Sequence, residues 1–266
     1  MQDNNIDPMV SAILTPAEED QLKRNLDGVL ERLERARAQA GRKPEDVQLV
    51  AVSKWHGLPS IVAVARHWNS LGGSPVFSEN YIQEALAKQA GLADMGGDAP
   101  KLRWHFTGHL QSKKAKQAVG CFDLIHTLDS LSLAQNLQTV LQKGTGGVKN
   151  SQAPLLQPVL VQVNIGEEDS KSGMAPEDLK NFLIELQGFG GIKVKGLMIL
   201  PPFSENPEDT RPYFVQLRQM RDRLEQELGI GLPHLSMGMS HDFEAAVEEG
   251  ATLVRVGTDI FGQRQY

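Results

Sequence analysis

Apolar positions along the chain follow two alternating rhythms. In the first, Leu22, Leu26, Val29, Leu30, Leu33 and Ala40 recur at helical spacing. Thr15 is placed to cap that helix, Pro16 to take its first position and Glu18 to close a capping box, and Gly41 ends it. Beyond it, short apolar runs alternate with helical patterns: QLVAVS then SIVAVARHW, PVF then a helix from Glu79, RWHF then one from Gln111, DLIHT then SLAQNLQTVL. The second half repeats this with PVLVQVN and APEDLKNFLIEL, KVKGLMIL and a long helix after Pro207, HLSM and HDFEAAVEEG, and a final TLVRVG.

Such alternation predicts parallel strands joined by crossover helices, and the runs VLVQV and LVAV, apolar on both faces, predict strands covered on both sides. A doubly wound sheet fits, but about eight steps in 266 residues fit a (β/α)8 TIM barrel, usually about 250 residues, better. The reading is one domain over residues 1–266, with an extra helix before the barrel, a flexible start at 1–14 and a surface insertion at 143–154, where KGTGGVKNSQAP interrupts an alternation that continues beyond it.

Composition narrows the function. Apolar residues make up 40% and charged residues 23%, as in ordinary globular proteins, and the formal charge of -6 offers no general attraction to nucleic acid or anionic membrane. Lys113, Lys114 and Lys116 read as a solvated face. MQDNNID is too polar to open a secretion signal and no apolar run approaches the roughly 20 residues of a membrane span, so a cytoplasmic protein is expected. Cys121, the single cysteine, rules out an internal disulfide and reads as a buried small hydrophobe.

The segment LVAVSKWHGLP ends an apolar strand on an amine. Alternation puts Val50, Val52 and Lys54 on one face, so Lys54 should emerge from the barrel interior at the C-terminal mouth, where barrels carry their functional residues. Burial favours the neutral amine, which attacks aldehydes to form a Schiff base; a lysine snorkelling to solvent is the structural alternative. Near the other end of the chain, Ser236, Gly238 and Ser240 precede a helix, and Gly257 and Thr258 follow the last strand, both suited to an anion. Arg255 shares a face with Leu253 and Gly257 and should point inward. An imine-forming lysine, an anion pocket and an inward cation match the aldehyde, phosphate and ring nitrogen of pyridoxal 5'-phosphate (PLP).

The motifs SKWHGLP, FSENYIQEA, WHFTGHLQSKK, VNIGEEDSKSG, KGLM, LSMGMSHDFEAAVEEG and VRVGTDIFG closely resemble those of the pyridoxal phosphate homeostasis protein family, over essentially the whole barrel from about residue 20 onward. The resemblance implies a fold like the N-terminal barrel domain of alanine racemase, with Lys54 as the Schiff-base lysine. It also implies that Arg255 contacts the pyridine nitrogen, that Ser240, Gly257 and Thr258 hold the phosphate, and that Asn80, Met237 and Met239 lie beside the cofactor. Two departures stand out: SKWHG replaces the family's more usual SKTKP-like sequence, and Ser78 stands where glycine is usual before ENY.

Competing signals are weaker. WHFTGH spaces His105 and His109 by four, but as strand to loop rather than on a helix, and no HExxH or CxxC accompanies it, so no metal site is expected. His126 and His241 could line the mouth, and His56 and His67 read as surface residues. No GxGxxG, GxxxxGK or GxSxG pattern is present. Three functions remain: a PLP homeostasis protein, an amino-acid racemase, and a lysine aldolase acting without cofactor. Racemisation needs acid/base groups on both faces of the substrate carbon. The racemase resemblance would draw the second from an additional domain, whereas FGQRQY follows directly on the last strand. The expectation is therefore a monomeric, non-enzymatic PLP protein whose other partners are apo PLP enzymes and free amino acids, with racemase as the alternative.

Overall fold

The structure is a computed structural model that describes residues 13–144, 156–166 and 172–263. Most of the expected flexible start and insertion, and Tyr266, lie outside the described residues. The Thr15 hydroxyl accepts the Glu18 amide at 3.3 Å while the Glu18 carboxylate accepts the Thr15 amide at 2.8 Å, the expected capping box. It opens α1 (Pro16–Gln39), whose stripe Leu22, Leu26, Val29 and Leu33 is buried.

The rest alternates as predicted: β1 (Gln48–Val52), α2 (Leu58–Ser70), β2 (Val76–Glu79), α3 (Ile82–Asp94), β3 (Arg103–Phe106), α4 (Ala115–Ala118), β4 (Leu124–Leu128), α5 (Leu131–Gln142), β5 (Gln157–Gln162), α6 (Leu179–Leu186), β6 (Ile192–Met198), α7 (Arg211–Leu228), β7 (His234–Met239), α8 (Phe243–Glu248), β8 (Leu253–Val256) and α9 (Thr258–Phe261). Neighbouring strands pair in parallel in chain order, and β8 pairs with β1, which closes the barrel and excludes the doubly wound sheet.

Two helices depart from expectation. Glu79 belongs to the sheet, paired with Phe106 of β3, so α3 begins three residues later. After Gln111 the chain makes a 3-10 turn and the single helical turn of α4, whose Ala115 and Ala118 reach the core, before Gly120, at a φ of 77°, turns the chain.

Alternation along each strand divides the core. Residues such as Ala51, Phe77, Phe106 and Ile125 face the helices, while Val50, Val76, Leu124, Leu160, Met198 and Leu253 fill the barrel's interior. Each such side chain removed from water contributes roughly 1.5 to 3 kcal/mol before conformational entropy is counted. Beside this apolar layer the interior turns polar, and there the candidate site begins.

Candidate cofactor site

Val50 faces the interior, β1 ends at Val52, and Lys54 stands half-buried in the turn that follows at the mouth. Val52 pairs with Ser78, so Asn80, two residues on, leaves β2 beside it. The Thr107 hydroxyl is directed as donor at Asn80 Oδ1, 3.0 Å away, and at Ser78 Oγ, 3.1 Å away, and so helps to orient the asparagine. Ser78 is fully buried, and its side chain supports the Asn80 loop.

The turns after β7 and β8 meet. Gly238 takes a φ of 87° at a bulge in β7, where a Cβ would lie 2.6 Å from that of Ala246, so strand and α8 approach closely. The Met239 amide then donates to Asp242 Oδ1 at 2.7 Å, and the Ser240 hydroxyl accepts the Gly257 amide at 3.3 Å. A Cβ on Gly257 would stand 3.1 Å from the Val52 carbonyl, so this turn lies against β1 two residues before Lys54. Thr258, exposed, opens α9. Met239 stands at the rim, but Met237 is fully buried among the residues facing the helices, on the opposite face from Ser236, so its side chain does not enter the interior.

Arg255 points inward as predicted and is buried. Its Nη1 donates to Ser236 Oγ at 2.6 Å and its Nη2 to the Ile199 carbonyl at 2.8 Å, two of the five N–H donors of a guanidinium. Burial lowers its pKa to about 10. Ser236 therefore belongs to the interior rather than to the anion turn where the sequence suggested it. His126 Nδ1 lies 2.9 Å from the same Ser236 hydroxyl, and His126 Nε2 lies 3.0 Å from His105 Nδ1. His126 is thus fully enclosed and does not line the mouth. Burial holds His105 down to about 3 and His126 well below its ordinary value, so both rings are neutral.

Other residues with reactive side chains stand outside this cluster or at its edge. Lys195 precedes Gly196, which pairs with His234 where β7 begins, so it sits toward the opposite end of the barrel. A cavity of about 630 Å³ also opens at that end, lined by Arg37, Arg42, Trp68 and His234 among others, and none of the predicted site residues lines it. His241 is exposed near the rim, bonded to the Glu205 carbonyl at 2.9 Å. His67 is not a free surface residue: its Nε2 lies 2.8 Å from Asp27 Oδ1. His56 is half-buried and stacks on Phe261. Cys121 is half-buried, and burial raises its thiol pKa.

The sequence reading missed two supports. Arg32 of α1 reaches the Ser240 carbonyl, and a knot of Glu79, Glu84 and Lys88 holds the residues flanking Lys54. Glu84 and Lys88 are spaced i, i+4 on a helix, which in sequence looks like an ordinary exposed pair.

The inward arginine, the hydroxyl and amide donors at two adjoining turns, and the lysine between them fit the ring nitrogen, phosphate and aldehyde of PLP by donor chemistry. Comparison with known proteins points the same way. The sequence model for "Alanine racemase, N-terminal domain" matches residues 25–265. A pyridoxal phosphate homeostasis protein of Aquifex aeolicus is 44% identical over 241 residues, covering 91% of this chain and 97% of the relative. The structure of PipY from Synechococcus elongatus with PLP bound is 35% identical with a TM-score of 0.73, covering 91% of this chain and all of that one. An alanine racemase of Clostridium difficile shares the fold at 18% identity and a TM-score of 0.67, covering 93% of this chain and 58% of that one.

Proposed function

We propose that this chain, which belongs to the pyridoxal phosphate homeostasis protein family, binds PLP through Lys54, holds it as a Schiff base, and so keeps the cofactor available while limiting its free aldehyde. The observation that supports this is the place of Lys54 in the turn directly after β1, between Asn80 and the Ser240–Gly257 contact, with Arg255 in the interior beside Val50. A neutral lysine amine joins an aldehyde carbon as C=N with release of one water.

Each residue has a role in this reading. Ser240, Gly257 and Thr258 take the phosphate, Arg255 donates to the ring nitrogen, and Asn80 and Met239 flank the ring. Met237 contributes backbone alone. Arg255 already donates to Ser236 and Ile199, and a guanidinium has no proton-accepting site, so the ring nitrogen would stay unprotonated and the ring a modest electron sink. That favours binding over turnover, as does the name shared by relatives matched along nearly their whole length. Apo PLP enzymes and free amino acids are the proposed recipients, and a monomer in the cytoplasm the proposed state. Among the described residues no helix is long and apolar enough to cross a membrane.

Racemisation is the second reading, because Tyr81, 46% exposed beside Asn80, is a proton-carrying group at the mouth. NMR of L-alanine in deuterated water with stoichiometric loaded protein separates the two. Binding without turnover leaves the α-proton in place. Rapid α-deuteration with formation of the D-isomer, lost in Lys54→Ala, would establish the racemase.

A further inference from the structure

One buried ionic knot, on the side of the barrel wall that faces α3, holds both residues that flank Lys54. Lys88 is 5% exposed, and its ammonium bonds to the Ser53 carbonyl at 2.9 Å, Glu79 Oε1 at 2.7 Å and Glu84 Oε1 at 2.7 Å, accounting for its three donors. Glu79 Oε1 also accepts the Ser53 hydroxyl at 2.6 Å, and Glu84 Oε1 the Trp55 amide at 2.6 Å. Ser53 is therefore fixed through its carbonyl and hydroxyl and Trp55 through its amide, so the backbone direction of Lys54 is set from both sides.

Trp55 shows why this turn needs a brace. Its φ of 68° is the one positive value at a non-glycine among the described residues, a conformation in which a side chain crowds the backbone and which persists only where the surroundings impose it. Here Glu84 holds the amide, and the Tyr81 ring lies 4.9 Å from the indole, centroid to centroid.

Stability alone is a poor account of the knot. Desolvating two carboxylates and an ammonium is costly, and an apolar contact of the same shape often holds a helix to a sheet as well. Glu79 is fully buried, its Oε2 has no hydrogen-bond partner among the described residues, and burial outweighs Lys88 to push its carboxyl up to about 7. What charged groups supply, and apolar ones do not, is directed bonds to particular backbone atoms.

We infer that Lys88 is a positioning residue for Lys54: by tying Ser53, Glu79 and Glu84 together it imposes the turn that aims the Lys54 amine into the barrel mouth. The inference rests on the reading that Lys54 is the residue that takes the cofactor.

The test compares Lys88→Met, Glu84→Ala and the conservative Glu84→Gln, which keeps an acceptor for the Trp55 amide. Three quantities are read: the rate at which the visible chromophore grows with PLP, the affinity for pyridoxamine 5'-phosphate, which has the ring and phosphate but no aldehyde, and hydrogen exchange of the Trp55 amide in the cofactor-free protein. In Lys88→Met and Glu84→Ala the chromophore should grow about tenfold or more slowly and the amide exchange faster, with pyridoxamine phosphate affinity within about twofold, because a misplacement of about 1 Å costs on the order of a hundredfold. Glu84→Gln should stay close to the unsubstituted protein. An unchanged rate in Glu84→Ala, or an equal loss of rate and pyridoxamine phosphate affinity, overturns the inference. Should Lys88→Met fail to fold, Glu84→Ala decides, since it leaves Lys88 paired with Glu79. Trapping of PLP on another lysine in the unsubstituted protein overturns the Lys54 reading and this inference with it, whereas trapping on Lys54 with unaltered variants overturns the inference alone.

Discussion

Arg32, on α1, donates through Nη2 to the backbone carbonyl of Ser240 at 3.1 Å. The same guanidinium makes bonds of 2.7 and 3.1 Å to Glu244 of α8, pairs with Asp259 of α9, and lies 4.6 Å over the ring of Phe243. The helix before the barrel thus clamps both turns that are proposed to carry the phosphate.

Arg32→Ala should therefore weaken PLP more than pyridoxal. Its ion pairs are partly exposed, and such pairs contribute up to about 1 kcal/mol each, so a three- to tenfold loss of PLP affinity is expected, roughly 0.7 to 1.4 kcal/mol. Titration followed by tryptophan fluorescence, to which Trp55 contributes from the mouth, measures both ligands. Equal losses would assign Arg32 to the barrel as a whole rather than to these turns.

Thr258→Val removes a hydroxyl while keeping the shape of the first residue of α9. A hydrogen bond to a charged group contributes about 1.5 to 3 kcal/mol, so PLP affinity should fall tenfold or more while pyridoxal is nearly unaffected. If pyridoxal binding fell as far, the phosphate would lie elsewhere.

How far sequence alone led depends on whether a residue's role is set by its own strand. Alternation placed Arg255 inward because its strand repeats every two residues, whatever its neighbours do, and it put Lys54 at the end of β1. The same rule, applied from Ser236, would have turned the Met237 side chain away from the interior. Arg32 and Lys88 were not legible, because their roles depend on which helix lies behind which turn, and the contact between Arg32 and Ser240 spans 208 positions of sequence. Ser236 and His126 meet across the barrel from β7 and β4, a relation that closure creates and no local pattern announces.

Borohydride reduction of the PLP-loaded protein followed by peptide mapping should place the pyridoxyl group on Lys54. Lys195 is the informative rival, since burial and the nearby Lys193 lower its pKa and favour its neutral form. Its place toward the far end of the barrel predicts no adduct there. Modification at Lys195 in place of Lys54 would reverse the site assignment, and the absence of any adduct would remove the Schiff base.

The buried histidines give a prediction with a definite sign. An ordinary histidine titrates near 6.5, whereas burial holds His105 at about 3 and His126 well below normal in the folded protein. Between those limits the unfolded chain binds protons that the folded one refuses, so stability rises with pH across the window. For His105 this contribution is complete above about 6.5 and is lost as pH falls toward 3, at about 2 kcal/mol by pH 5, and His126 adds in the same direction. Denaturant unfolding at pH 5 and 7 should show a steeper loss for the unsubstituted protein than for His105→Gln. The chain of contacts also points to one tautomer. Arg255 only donates, so Ser236 accepts from it; the arrangement in which the Ser236 hydrogen is also used sends it to His126 Nδ1, which leaves the His126 proton on Nε2, directed at His105 Nδ1. Nitrogen NMR of labelled protein should find His126 protonated at Nε2 and unchanged between pH 8 and 5. Protonation at Nδ1, or a titration near 6.5, would mean that the Arg255–Ser236–His126–His105 chain does not run in this direction.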